Sequence, residues 1–408
     1  MLTLRLAFRN ILRQRRRSIL TGLSVGIGYL VCCVAISMSE GSYSNAIRFF
    51  TEDTTGHLQV HKNDYLRRPN VHKHFALEDI TESLKDVRIA AYSARLFAPG
   101  LAYAGDNHAP ANIIGVEVET EPLVTRIEEK LTAGKFLPAS YEINETMPAL
   151  VGAGVAELLE VGVGDELILI SQGGDGSVAN DIFTIVGKIG TRTSGDRHNV
   201  YLPLLAAQNF LTLDGRIHEV VVRVNDIHAA IQVATNVQQQ LDITATDIVV
   251  SPWQTVQASF FRSMESDKRA NEISLGIILF IVFIGVLNTV LMSVLERTRE
   301  FGVLKAIGSR PWTIARLITI ETSILAALGL VIGVILSIPL IWWFATTGFD
   351  MPEPIDIGGV KMQSMRGEFS LDVFIFPACI VYVYALLVSI FPAVKAARIN
   401  PVDAMRST

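Results

Sequence analysis

The residues with most chemical potential are eight histidines, all between positions 57 and 228. His57 with His61, and His72 with His74, are spaced to share one face of a strand, so each pair could offer two nitrogens to a metal ion. A metal centre needs a third or fourth ligand and partners that hold the ligands in place. Surface or half-buried histidines are therefore the expectation, and no metal is assigned.

Catalytic signatures are equally sparse. Neither a Gly-x-x-x-x-Gly-Lys-Ser/Thr phosphate loop nor a His-Glu-x-x-His helix occurs in the 408 residues. No Gly-x-Ser-x-Gly nucleophile elbow is assigned either. Gly173-Gly174-Asp175-Gly176 is followed by no helix or lysine, so it reads as a hairpin loop and not a phosphate cradle. Cys32, Cys33 and Cys379 lie inside apolar runs and read as small apolar residues, which leaves residues 39–270 without a disulfide. No catalytic residue is assigned, and no enzyme activity is expected of the chain by itself.

The surrounding elements explain this scarcity. Hydrophobic residues make up 50 % of the chain and charged residues 18 %, with a net charge of −5. Long apolar runs joined to a water-soluble insert fit these values, and nothing in the charge points to nucleic acid. About 20 mostly apolar residues are needed to cross the ~30 Å hydrocarbon layer as a helix. Four segments qualify: 19–38, 271–295, 312–345 and 371–392. The third is long enough to need tilt or a kink, which Pro339 could supply. The first has a basic flank but no small-residue cleavage site, and reads as a retained span.

Charge placement orients the spans. Arg5, Arg9, Arg13, Arg15, Arg16 and Arg17 precede the first. Arg297, Arg299, Lys305, Arg310 and Arg316 lie between the second and third or just inside the latter, and Lys395, Arg398 and Arg406 follow the fourth. Segments 1–18, 296–311 and 393–408 are therefore expected in the cytoplasm, with 39–270 and the acidic 346–370 loop outside. Within the spans, Gly22-x-x-x-Gly26 and Gly329-x-x-x-Gly333 have the spacing of close helix approach, although glycine is common in membrane helices generally. Glu321 is the one acid well inside a span, a position that raises a functional hypothesis. With Arg316 nearby as partner, a structural polar contact is the expectation.

The insert is long enough for one or two cores. Strand patterns are expected at 56–61, 89–92, 111–116, 217–224 and 247–250, with helices at 77–84 and 227–241. These flanking parts read as two halves of one α/β unit. Between them, 119–212 reads as a β-rich subdomain of short strands, including 164–170 and 183–187.

The segment 296–308 has an amphipathic pattern: Phe301, Leu304 and Ala306-Ile307 on an apolar side, Glu296, Arg299 and Glu300 on a charged one. Gly308 and then Pro311 give a helix stop and a fresh start. Such a helix could be a handle for a cytoplasmic partner, or an interfacial anchor for the span.

This segment resembles the coupling helix of the FtsX-like (MacB/LolC/LolE, type VII) ABC transporter permeases. So do Leu6-Ala7-Phe8-Arg9-Asn10-Ile11 with Arg17-Ser18-Ile19-Leu20-Thr21, and Pro392-Ala393-x-x-Ala396-Ala397-Arg398-x-x-Pro401-x-Asp403-Ala404. Gly56-His57-Leu58-Gln59-Val60-His61 resembles the opening strand of the lipoprotein-releasing branch. The resemblance covers nearly the whole chain. It implies a membrane α-helical fold with four transmembrane helices, and an α+β extracytoplasmic domain made of a porter-like α/β part and an inserted β-rich subdomain. It further implies a bacterial inner-membrane location and a dimer with a second copy or a paralogue. Two cytoplasmic ABC ATPase subunits would bind ATP and magnesium, leaving this chain without a cofactor of its own. Coupling would run through Glu296, Arg297, Arg299, Glu300, Phe301, Gly302, Leu304, Lys305, Ala306 and Gly308. MacB itself carries a fused ATPase domain, whereas these residues contain none, so the resemblance implies a separate ATPase polypeptide.

Three outputs are compatible with this. ATP-driven mechanotransmission could extract lipoproteins or other amphipathic substrates from the outer leaflet and pass them to a periplasmic carrier. It could export a small hydrophobic molecule or peptide through an adaptor, or regulate an envelope hydrolase as FtsX does. FtsX-type regulators have a smaller outer domain, which counts against the last.

Overall fold

Long apolar stretches form the longest helices, and the glycines and prolines inside them do not interrupt the helical course. The computed structural model describes residues 7, 9–11, 13, 15–140, 146–244, 247–357 and 360–399, and for 15–17, 243–244, 350–357 and 360–364 the backbone course only. Leu6, Phe8, Pro401, Asp403, Ala404 and Arg406 lie outside the described residues. The longer helices are α1 Arg15–Phe50, α2 Ala230–Thr244, α3 Ala258–Glu296, α4 Thr298–Ala306, α5 Pro311–Thr346 and α6 Leu371–Ala397. Among the described residues, α1, α3, α5 and α6 are long and apolar enough to cross a membrane.

The chain divides into two units. The first comprises Met1–Ser44, Met264–Asp350 and Ser364–Thr408. Its core joins Val25 and Tyr29 of α1, Val286, Val290 and Val294 of α3, Phe301 of α4, Ile314 and Ile318 of α5, and Val381 and Val388 of α6. The i, i+4 spacing of the three α3 valines puts them on one stripe, while Ile277, Phe280, Ile281 and Ile284 of the same helix remain exposed. At 1.5 Å per residue α3 is about 58 Å long, nearly twice the hydrocarbon layer. Its first turns, through Glu272, are mostly polar and lack glycine and proline, which lets one helix continue without a break.

The second unit comprises Asn45–Ser263 and Met351–Gln363. Its sheet has ten strands: β1 Leu58–Lys62, β2 Ile89–Ala104, β3 Asn107–Val116, β4 Leu131–Gly134, β5 Met147–Gly152, β6 Glu166–Gln172, β7 Val178–Ile189, β8 Asn199–Pro203, β9 Glu219–Val224 and β10 Ile248–Pro252. Their order is β10-β1-β9-β2-β3-β8-β5-β7-β4, with β6 paired to β2 and β7. Most pairs are antiparallel; β3 with β8 and β5 with β7 are parallel. The strands of 119–212 thus share one hydrogen-bonded sheet with the flanking strands. Gly173–Gly176 falls in the turn between β6 and β7, which pair as a hairpin from Gln172↔Val178 outward. The largest apolar core lies under one face of the sheet and includes Leu96, Ala98, Ile113, Phe183, Val200 and Leu202. The 346–370 loop contains a two-stranded sheet, β11 Phe349–Ile357 with β12 Val360–Met365.

Candidate functional site

The chain leaves α3 at Glu296, turns at Arg297, and starts α4 at Thr298, whose hydroxyl donates to Leu295 O at 2.7 Å. Gly308 ends α4. Its φ of 97° is a left-handed conformation that a side chain would strain, and Ser309 N–H donates back to Leu304 O at 3.0 Å. Pro311 then opens α5 at its first position, where no intrahelical donor is lost.

One face of α4 is fixed to the bundle. Arg297, Phe301 and Gly302 are buried, and the Arg297 guanidinium lies 5.1 Å from the Phe301 ring centroid. Half-buried Lys305 donates to Ala397 O at 3.0 Å and Ile399 O at 2.8 Å, a cation at the C-terminal end of α6. The opposite face is open: Glu296, Arg299, Glu300, Leu304, Ala306 and Gly308 are exposed. The expected apolar side is corrected here. Phe301 is buried, but Leu304 is 38 % and Ile307 79 % exposed. The row that packs is 297-301-305, spaced i, i+4; Leu304 lies at the edge of that face, and Ile307 follows the last residue of α4.

Arg297 is the centre of a polar cluster. It donates to Glu321 Oε2 of α5 at 2.8 Å and to Glu300 Oε2 at 2.9 Å, and Asn10 Nδ2 donates to Glu321 Oε1 at 2.6 Å. Arg13 lies 4.0 Å from Glu300. Burial disfavours the Arg297 charge, yet Glu321 and Glu300 more than offset it and hold the guanidinium above its ordinary pKa. The partner of Glu321 is therefore Arg297 and not Arg316, which is exposed. Five residues apart on a helix, Arg316 and Glu321 point about 140° away from each other. Asn10 is not legible as a partner, because nothing local in the sequence ties it to a residue 311 positions away.

The two glycine pairs meet. A Cβ on Gly26 would lie 2.8 Å from Gly329 O, and one on Gly333 would lie 2.9 Å from Gly26 O. A Cβ on Gly329 would lie 2.6 Å from Gly22 O, while one on Gly22 would meet Gly329 Cα at 3.9 Å. Backbone contact this close at Gly26, Gly329 and Gly333 leaves no room for a side chain, whereas Gly22 has ordinary van der Waals space. Between the first pair, Gly22-Leu23-Ser24-Val25-Gly26 does spell Gly-x-Ser-x-Gly, so the motif is present even though no elbow is expected. It lies inside α1, with the Ser24 hydroxyl donating to Leu20 O at 2.9 Å, and forms no strand-to-helix elbow.

The histidine pairs are not brought together. His57 and His61 flank or lie on β1, whereas His72 and His74 fall in the following loop. His61 Nε2 is 3.2 Å from Glu219 Oε2. Among the described residues no group of three or more His, Cys, Asp or Glu is placed to hold a metal ion.

These features define an integral membrane protein with, among the described residues, four apolar helices, a large α+β domain between the first and second, and a short half-exposed helix between the second and third. The family model for the MacB-like periplasmic core domain matches residues 18–240, and that for the FtsX-like permease C-terminal matches 273–401. The chain belongs to this FtsX-like, MacB-type family of ABC transporter permeases. It is similar to the macrolide export ATP-binding/permease protein MacB of Campylobacter jejuni, 26 % identical over 98 % of this chain and 60 % of that protein. It is similar also to the lipoprotein-releasing system transmembrane protein LolC of Xylella fastidiosa, 22 % identical over 97 % of this chain and 96 % of that protein. The chain spans about 60 % of the length of the MacB relatives it matches first. The periplasmic region of MacB from Actinobacillus actinomycetemcomitans covers 52 % of this chain at 15 % identity, with a TM-score of 0.38. That solved region is itself matched over 95 % of its length.

Proposed function

We propose that this permease receives the force of ATP hydrolysis at α4 and delivers it to its periplasmic domain, releasing lipoproteins or other amphipathic substrates from the outer leaflet of the bacterial inner membrane. ATP and magnesium would be bound by two copies of a nucleotide-binding partner, and a second permease copy or a paralogue would complete the dimer. The observation that carries this reading is the two-faced helix α4. Arg297, Phe301 and Lys305 tie one face to α3, α5 and α6, while Arg299, Glu300 and Leu304 lie exposed on the other. A push on such a helix moves the bundle and not a loose loop. The unbroken α3 supports transmission along a stiff element. Arginines before the first span and between the second and third support cytoplasmic termini. The match to LolC over nearly its whole length supports the lipoprotein substrate; the match to MacB supports export through a periplasmic adaptor as the second reading.

The test is co-purification with the cognate ATPase. Replacing the exposed Glu300 and Leu304 with Ala is expected to abolish binding and stimulated ATP hydrolysis; full retention of both would overturn the assignment of α4. For the substrate, ATP-dependent crosslinking of a lipoprotein to the 39–270 domain is expected, and its absence during turnover would favour adaptor-dependent export.

A further inference from the structure

Strand register lines up a polar surface on the sheet face opposite the main apolar core. His61 of β1 pairs with Glu219 of β9, and Glu219 with Arg95 of β2. Two residues on, Phe97 of β2 pairs with Ile114 of β3, which pairs with Tyr201 of β8. Alternation sends the intervening Leu96 and Leu202 to the other face, where they are core. Glu219, Arg95, Phe97, Ile114 and Tyr201 of these rows line a cavity of about 730 Å³.

Its charges do not balance. Arg95 makes a bidentate pair with Glu121, Nε to Oε2 at 3.1 Å and Nη2 to Oε1 at 2.5 Å, and reaches Glu219 Oε1 at 3.3 Å. Lys130 Nζ is 2.9 Å from Asp196 Oδ2 and 2.5 Å from Asp53 Oδ1, and the Tyr201 hydroxyl donates to Asp196 Oδ1 at 2.6 Å. Of these, three carboxylates that line the cavity, Asp53, Glu121 and Glu219, face two lining cations, Arg95 and Lys130. One negative charge is left in excess along the lining. Burial pushes the Asp53 carboxyl above its ordinary pKa even with Lys130 beside it.

An independent observation concerns Gln59, which lines the same cavity and is 4 % exposed. Its Nε2 donates to Glu219 Oε1 at 3.3 Å, but among the described residues its Oε1 has no donor. Buried acceptors normally find one. The site is therefore short of positive charge and of a hydrogen-bond donor at the same place, beside the aromatic rings of Tyr65, Phe97 and Tyr201.

We infer that this cavity binds an organic cation that donates hydrogen bonds, a primary ammonium or guanidinium on an apolar body, with its head at Gln59 Oε1 and Glu219 and its body against Phe97 and the two tyrosines. An anion would add to the negative excess, and a purely apolar molecule would leave Gln59 unpaired. A cation against aromatic rings gains from both burial and ring electrostatics. The assignment is independent of the role proposed for α4.

The experiment uses the full chain in lipid nanodiscs, with empty nanodiscs as the baseline, and titrates 4-phenylbutylammonium against 4-phenylbutyrate by calorimetry. Saturable binding of the ammonium, at least tenfold tighter than the carboxylate, is expected, with at least a tenfold loss in Gln59→Leu. No binding above the empty discs, equal binding of the two probes, or unchanged binding in the variant would overturn it. Should Gln59→Leu fail to fold, the ammonium-over-carboxylate preference of the unmodified chain decides alone.

Discussion

Arg297 Nη1 donates to Glu321 Oε2 at 2.8 Å, joining the start of α4 to the middle of the first half of α5 through two largely buried side chains. Removing Arg297 leaves Glu321 buried with only the neutral Asn10 amide as partner and no counter-charge. Arg297→Met is therefore expected to lower stability by about 3–5 kcal/mol. The double variant Arg297→Met with Glu321→Met should regain most of that loss, since burying a matched apolar pair is often neutral. Thermal unfolding in detergent checks both. A double variant no more stable than the single one would mean that the pair contributes specific attraction beyond mutual neutralisation.

The glycine contact between α1 and α5 gives a prediction of opposite signs. Gly26→Ala places a Cβ 2.8 Å from the Gly329 carbonyl oxygen, and backbone cannot swing aside, so the bundle must open and the melting temperature fall. A Cβ on Gly285 of α3 would meet nothing within 4 Å, so Gly285→Ala should stabilise by about 0.5–1 kcal/mol through helix propensity alone. Paired melting curves of the two variants provide the comparison.

Arg95 holds Glu121 by two bonds and Glu219 by a third. Arg95→Lys keeps the charge but cannot reproduce the fork, so it should still loosen β2 and β9. Arg95→Met, which strands both carboxylates, should cost more, on the order of 3–5 kcal/mol. Hydrogen exchange at β2 and β9 reads the effect locally, with exchange expected to rise in the order Arg, Lys, Met at position 95.

Acid should weaken the sheet domain through its buried histidines. His218 accepts from Phe97 N–H at Nδ1 (3.0 Å) and lies 2.8 Å from Val71 O at Nε2, an arrangement that fits the neutral ring. Burial lowers its pKa and that of His57 below the ordinary 6.5. A group depressed in the folded state binds its proton first in the unfolded chain, so stability is full above about pH 6.5 and falls as pH drops below it. Melting temperature should fall between pH 7.5 and 5.5, and His218→Gln should flatten that slope.

Much of this is legible in the sequence, for reasons that particular residues make plain. The four long helices stand out because apolar runs of about 20 residues have few other uses. Gly308 and Pro311 mark the end of α4 and the start of α5 by local backbone chemistry alone. What escapes depends on distance in the chain. Arg95 meets residues 26 and 124 positions away, and Arg297 meets one 24 away, so neither partner can be read from spacing. The residue pattern marks strand β2 only to residue 92, but the strand runs to Ala104. Pro99 and Gly100 look like a turn, yet they fall where pairing with β9 has ended and pairing with β6 begins, a junction at which proline removes little from the ladder.

The central claim, that α4 is where ATP-derived force enters, is tested most directly by a photocrosslinking amino acid at position 304, with position 262 of α3 as control; both side chains are exposed. The expected result is an adduct with the ABC ATPase at 304, none at 262, and a change in the 304 yield when a non-hydrolysable nucleotide closes the ATPase dimer. An absent adduct at 304 in a complex that still hydrolyses ATP and releases substrate would contradict the claim.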